Sequence, residues 1–309
     1  MGNKILPVPE GFDGERIDIV ISRIMGLSRS AASKLVEEGN VSVDFNVVSK
    51  SQKVKSGSIL EIEFEESKPY ETEITPVAGM KIVYDDDDIV VVDKPAGVAA
   101  HTGVGWDGPT VIGALAASGY RISTSGPVER KGIVHRLDAG TSGLMVVAKS
   151  ELAYTKMKWA FKDRKVKKIY HALVQGHIDP YTATIEAPIG RHKGNEWKMA
   201  IMSNGKEAVT HYELLEIVGS SSLLKVRLET GRTHQIRVHM QAIGHPCVGD
   251  PTYNTDNKVA LKLGLERQWL HAKELAFEHP RTGIPLCFNS EYPEDLKNIL
   301  NFFRGENNN

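Results

Sequence analysis

Residues 132–149 read GIVHRLDAGTSGLMVVAK, two apolar runs separated by a turn that Gly140 and Gly143 leave free to bend sharply. Ile133, Val134 and Leu137 suit a buried strand, and Leu144 to Ala148 suit a second one. A strand over 133–138 would alternate its side chains and place Arg136 and Asp138 on one face, opposite His135. Such a charged pair at a strand's open end has two readings, a catalytic ledge or a surface salt bridge beside a loop.

The remaining chain points to a two-domain α+β protein. Its 309 residues can hold one domain with a sizeable core and a smaller companion. Residues 13–64 form the expected small module. Ile17, Val20, Ile21 and Ile24 have helical spacing up to Gly26, Ser28 can cap a second helix over 29–38, and strand-like runs follow at 41–48 and 59–64. Residues 65–76, with Pro69 and Pro76, read as a linker, and 77–305 as the larger domain. There, strands are expected at 81–84, 89–93, 133–138, 144–149, 168–175, 207–218, 223–229 and 270–277, and helices at 109–118, 150–163, 234–243 and 293–303. Short turns between successive strands favour a mixed, largely antiparallel sheet over a doubly wound one. The tail from Gly305 is expected to fray.

Net charge is −1, which argues against indiscriminate coating of nucleic acid. Locally the picture differs: Lys149 to Lys168 carries eight basic residues against Glu151 and Asp163, a solvated helix face or a phosphate-contacting one. No apolar run approaches membrane-spanning length, and the first residues lack the apolar core of a signal peptide. Two cysteines make no disulfide framework, so a reducing cytoplasm is the expected home, and a monomer the expected state.

Several motifs lead nowhere. Gly103 to Gly108 matches G-x-G-x-x-G, but no βαβ unit surrounds it, and no G-K-[ST] is present. His234 with His239, and His245 with Cys247, lack a third ligand in register, so no metal site is expected. Ser142 has no nucleophile-elbow context.

The HRLD segment ending in Asp138, the following Gly-Thr-Ser-Gly-Leu turn and the strand to Lys149 resemble the RluA/RluD family of pseudouridine synthases. Flanking blocks match in order: IVVVDKPAGVAAH (89–101), Lys168-Ile169-Tyr170, TGRTHQIRVHMQAIGHPCVGD (230–250), and Leu270-His271-Ala272 through His279-Pro280. The 13–64 module resembles the α-L RNA-binding module of a small-subunit ribosomal protein, with Ser30, Lys34 and Lys53 placed to meet backbone phosphates. It departs from a basic patch, having seven basic residues against eight acidic ones between Asp13 and Phe64.

The resemblance implies the pseudouridine synthase fold and isomerisation of uridine in structured RNA, without metal, ATP or redox cofactor. Large-subunit ribosomal RNA is the expected substrate, with tRNA as the alternative. Asp138 would be the catalytic carboxylate, ionised through pairing with Arg237. Tyr170 would stack on the flipped base, or help remove the C5 proton. Arg136 would fill the gap left by the base or hold a flanking phosphate, and Leu275 would wall the uracil. Arg232, Thr233 and His234 would bind a phosphate at a helix N-terminus, unless Thr233 merely caps it. A non-catalytic RNA-binding protein on the same fold, or a hydrolase using Asp138 with a second acid, are the competing readings.

Overall fold

The computed structural model describes residues 2–25, 27, 29–64, 74–103, 106–192, 194–195, 197–254 and 257–305. Gly26, Ser28, most of the expected linker and the tail beyond Gly305 lie outside them, as does the side chain of Ser30. The chain divides into two units, Met1–Glu71 and Thr72–Asn309.

The first unit contains β1 (Gly2–Pro7), α1 (Ile17–Met25), α2 (Arg29–Glu37), β2 (Val41–Val43), β3 (Asn46–Val47) and β4 (Ile59–Phe64). Its sheet runs β1-β4-β2-β3, and every pairing is antiparallel. Ile17, Val20 and Ile21 of α1 and Ala32 and Val36 of α2 pack on Val41, Leu60 and Ile62. Two features depart from expectation. Strand β1 lies before residue 13 and pairs with all of β4, from Gly2 against Phe64 to Pro7 against Ile59. The run 41–48 is a tight hairpin, because Asp44 and Phe45 adopt φ of 49° and 65° and turn β2 back as β3.

The second unit contains β5 (Lys81–Asp85), β6 (Ile89–Lys94), α3 (Val111–Ala117), β7 (Ser142–Ala148), α4 (Glu151–Lys162), β8 (Lys167–Gln175), β9 (Thr182–Glu186), β10 (Ile189–Arg191), β11 (Met199–Ile201), β12 (Val209–Val218), β13 (Ser221–Leu228), α5 (Gln235–Ala242), α6 (Lys258–Lys262), β14 (Leu270–Glu278), β15 (Pro285–Asn289) and α7 (Glu294–Arg304). The large sheet runs β5-β6-β7-β14-β8-β13-β12-β9, with β15 on β14. Its ladders are antiparallel except β7–β14, which is parallel. Alternation along β6 and β7 splits the core. Val90, Val92, Met145 and Val147 pack with α3 and α5, while Ile89, Val91, Leu144 and Val146 pack with α4.

The β7–β14 junction requires Gly143. Its φ is 112°, and a Cβ there would stand 2.4 Å from the Ala272 carbonyl oxygen. Only glycine lets the two strands approach this closely, and that approach seats the Asp138 turn over the sheet.

Candidate active site

The segment 133–138 is not a strand. Ile133 makes one bridge to Val147, and the chain then leaves the sheet edge. The cause is His135, whose Nε2 accepts the Val146 N–H at 3.0 Å and so takes the place of a partner strand's carbonyl. Its ring stacks on Phe161, 4.5 Å between centroids, and burial pushes its pKa down to about 3, which keeps Nε2 free to accept. The expected alternation of Arg136 and Asp138 therefore does not exist, and they form no ion pair with each other. Arg136 is exposed at the rim of a cleft of about 520 Å³, and Asp138 lies in its lining.

The turn carrying Asp138 is tied down from three directions. The Thr141 N–H donates to the Asp138 carbonyl at 3.0 Å. The Ala139 carbonyl accepts from the Gly97 N–H (2.9 Å) and from the Lys94 ammonium (3.2 Å). Lys94 is wholly buried and also donates to the carbonyls of Val98 (2.7 Å) and Pro95 (3.0 Å), so its three N–H groups all have acceptors. Burial pulls its pKa down to about 7, opposed by the Asp138 charge. From the other side Arg267 donates to the Gly140 carbonyl (3.2 Å), and Gln268 to the Thr141 hydroxyl (3.0 Å).

Arg237 projects from α5 with its Nη1 3.3 Å from Asp138 Oδ2. Its stronger partner is Asp250, which it grips with two bonds, Nε to Oδ2 at 2.7 Å and Nη2 to Oδ1 at 2.9 Å. Asp250 is fully buried and also accepts the N–H groups of Thr252 and Tyr253. Burial opposes the Arg237 charge, but Asp250 and Asp138 outweigh it and raise its pKa. Asp250 went unassigned in the sequence, although it ends the quoted 230–250 block.

His234 stands 4.0 Å from Asp138 through Nε2, and its Nδ1 lies 2.9 Å from the Tyr253 hydroxyl. Burial lowers its pKa, with Asp138 opposing. The Tyr253 oxygen already accepts the Met199 N–H at 2.8 Å. Where the Tyr253 hydroxyl donates to Nδ1 of a neutral imidazole, the ring proton sits on Nε2, facing Asp138. His234 adopts φ 56° and is the N-cap of α5 without a side-chain cap, so Thr233 does not cap. The helix entrance is also less open to an anion than expected. Gln235 Oε1 accepts the Arg232 N–H at 3.0 Å, and Arg232 Nε donates to the Glu207 carbonyl.

Tyr170, in the middle of β8, is buried, faces the cleft and has a pKa raised by burial and by Asp138, so its phenol is neutral at physiological pH. Lys168, two positions earlier, shares the lining, and burial lowers its pKa to about 8. Leu275 is not part of the cleft. It packs with Val146, Met157 and Phe277 on the α4 side, and Leu270 lines the cleft in its place. A bulge between Ala272 and Glu274 shifts the β14–β8 register between these leucines, which sequence counting does not detect.

Among the described residues no three His, Cys, Asp or Glu side chains converge to hold a metal ion. His239 hydrogen-bonds Thr210 and the Ala187 carbonyl, and His245 the Gln175 carbonyl. None of the described helices is long and apolar enough to cross a membrane. In the N-terminal unit Lys34 is exposed and 3.4 Å from Glu38, and Lys53 is exposed beside Arg16.

Comparison with known proteins matches residues 88–242 to the RNA pseudouridylate synthase family and residues 15–60 to the S4 domain. An uncharacterised RNA pseudouridine synthase of Mycobacterium bovis is 57% identical over 99% of this chain and 100% of its own length. The ribosomal large subunit pseudouridine synthase D of Pseudomonas aeruginosa is 40% identical over 96% of this chain and 94% of its own. Among solved structures, the human RNA pseudouridylate synthase domain containing 1 superposes with a TM-score of 0.56 at 30% identity, covering 74% of this chain and 89% of that one. With an S4 domain ahead of a mixed α+β catalytic unit, the chain belongs to the RNA pseudouridylate synthase family and is an RNA-uridine isomerase.

Proposed function

We propose that this enzyme isomerises uridines of large-subunit ribosomal RNA and that Asp138 is its catalytic carboxylate. The supporting observation is the Asp138 carboxylate in a 520 Å³ cleft, 3.3 Å from an arginine that buried Asp250 holds in place. The ribosomal preference rests on the 40% identical relative from Pseudomonas aeruginosa, named for the large subunit.

The target uridine must leave its stack, since its glycosidic bond is inaccessible in structured RNA. In the cleft Tyr170 offers a ring against the base, and Arg136 at the rim offers a cation to the strand or to the space the base vacates. Arg237 holds a positive charge 3.3 Å from the Asp138 carboxylate as the N1–C1′ bond breaks. The free uracil, retained in the cleft, turns and bonds to C1′ through C5; C5 then gives up its proton and N1 takes one, so composition is unchanged. A neutral Tyr170 is a poor base for that proton, so it fits stacking better. His234, with its proton on Nε2, is a donor that can steady the carboxylate between steps. Residues 13–64 serve as the RNA-docking part, joined through 65–76 to the catalytic part 77–305.

The test is tritium release from transcripts labelled at uridine C5. Wild-type protein should release tritium from a large-subunit rRNA transcript and Asp138→Asn should not. Release from tRNA alone would overturn the ribosomal reading, and equal release by both proteins would remove Asp138 from the chemistry.

A further inference from the structure

The exposed side of α4 holds a feature the catalytic reading does not use. Tyr154, Lys158 and Lys162 follow one another at four-residue spacing, and Trp159 stands beside them, 53% exposed. Together they line a hollow of about 520 Å³ separate from the Asp138 cleft, within the size range of small-molecule sites. The Lys162 ammonium lies over the Trp159 ring, 4.2 Å from its centroid, and Lys158 over Tyr154 at 5.6 Å. Opposite, the wall at Gly126 is bare backbone at φ 109°, where a Cβ would come within 2.8 Å of the Tyr154 hydroxyl.

Three observations point to a ligand of one kind. A large aromatic ring left half open to water is unusual for a side chain that normally buries its area. No acidic residue lines the hollow, and Lys158 and Lys162 have no ion-pair partner among the described residues. Glu151, the acid at the head of the same helix, is committed to the Thr124 N–H (2.7 Å) and hydroxyl (3.0 Å). Finally, Lys162 lines both this hollow and the Asp138 cleft, so only that side chain stands between the two.

We propose that the hollow of Trp159, Lys158 and Lys162 binds an unpaired nucleotide of the substrate strand flanking the isomerised uridine. The base stacks on Trp159, and the neighbouring phosphates meet the two ammonium groups. Stacking on an open ring tolerates any base, because each has a π-face, so this contact adds affinity and strand direction without adding sequence choice. The inference depends on RNA being the substrate, and not on which RNA it is.

A fluorescent 12-nucleotide oligouridylate, followed by anisotropy with the full chain, tests it. Trp159→Ala should weaken binding about tenfold, and Trp159→Phe, which keeps a stacking ring, should stay within twofold of wild type. Lys158→Ala should lower the slope of log affinity against log salt by about 0.7. The proposal is overturned if wild-type protein does not bind the 12-mer, if Trp159→Ala binds within twofold of wild type, or if Trp159→Phe loses as much as Trp159→Ala. A wrong ribosomal assignment would show only as absent tritium release from the rRNA transcript and would leave the oligouridylate result standing.

Discussion

The N-terminal unit and the catalytic cleft handle positive charge differently. In the N-terminal unit four cations are answered next door. Buried Asp18 takes both Arg16 (3.0 Å) and Arg29 (3.2 Å), and Lys34 and Lys50 meet Glu38 and Glu37. Around the cleft, Arg130 and Arg164 are paired with glutamates, but Arg136, Lys162 and Lys168 have no ion-pair partner among the described residues, and Arg237 on the floor is held by two aspartates. Exposed pairs such as Lys34–Glu38 and Lys50–Glu37 contribute little to stability and leave little field to attract a polyanion. The difference teaches that affinity for RNA backbone should concentrate at the rim of the cleft, with the N-terminal unit acting through shape and a few contacts.

The largest expected effect is on chemistry. Asp138→Asn should cut the rate of tritium release by about a thousandfold or more while RNA affinity, measured by filter binding, stays within a fewfold. A parallel loss of affinity would mean the cleft binds RNA through Asp138's ion pair, which breaks the contrast between rim and floor. Next comes Asp250→Asn. It removes the buried counter-charge and one of the two bonds that grip Arg237, and the expected cost is about 3–5 kcal/mol by urea unfolding, together with a severe loss of turnover. Unchanged turnover would show that Asp138 alone can orient the arginine.

Acid should separate the units. All 11 histidines lie in the catalytic unit. Burial and the nearby Lys273 and Arg267 cations push His271 down to about 3, and burial does the same for His135. Between pH 6.5 and 3 the unfolded chain binds protons these native histidines refuse. Stability is therefore complete above pH 6.5 and falls with pH below it, by about 1.4 kcal/mol per unit for each such histidine. The four tryptophans also lie in the catalytic unit, so their fluorescence reports its unfolding alone. The urea midpoint read this way should drop by the equivalent of about 2 kcal/mol or more from pH 7 to pH 5. A flat profile would mean the buried rings are charged in the native state. Smallest of all, Lys34→Ala should change stability by less than about 0.5 kcal/mol and weaken rRNA binding only slightly. A tenfold loss of binding would make the N-terminal unit an electrostatic reader after all.

Much of this was legible from residues. Helices α1, α2, α4 and α5 appear within a residue or two of their expected places because apolar spacing and caps such as Ser150, which accepts the Ala153 N–H, are local signals. Asp138, Tyr170, Arg136 and Arg237 do line one cleft. The failures share a cause, since each depended on a contact or a register that the local pattern does not encode. The expected strand 133–138 is displaced by a histidine side chain that bonds Val146. Strand β1 carries no strong alternation and exists because β4 pairs with it. Asp250 sits in an irregular stretch, and only the fold shows that it grips Arg237 harder than Asp138 does. Leu275 looked suitable because it is apolar and on the right strand, but β14 bulges between it and the cleft.

The tethers on the Asp138 turn have a consequence for dissecting the enzyme. Residues 88–242, which match the family model, include Asp138, Tyr170 and Arg237. Yet the Arg237 anchor at 250 and the Arg267 and Gln268 bonds to the turn come from beyond it. A truncated chain ending there would carry every named reactive group and still be inert. Activity should return only when the missing C-terminal piece is supplied and refolds onto it, which makes the last quarter of the polypeptide a switch for split-enzyme assembly.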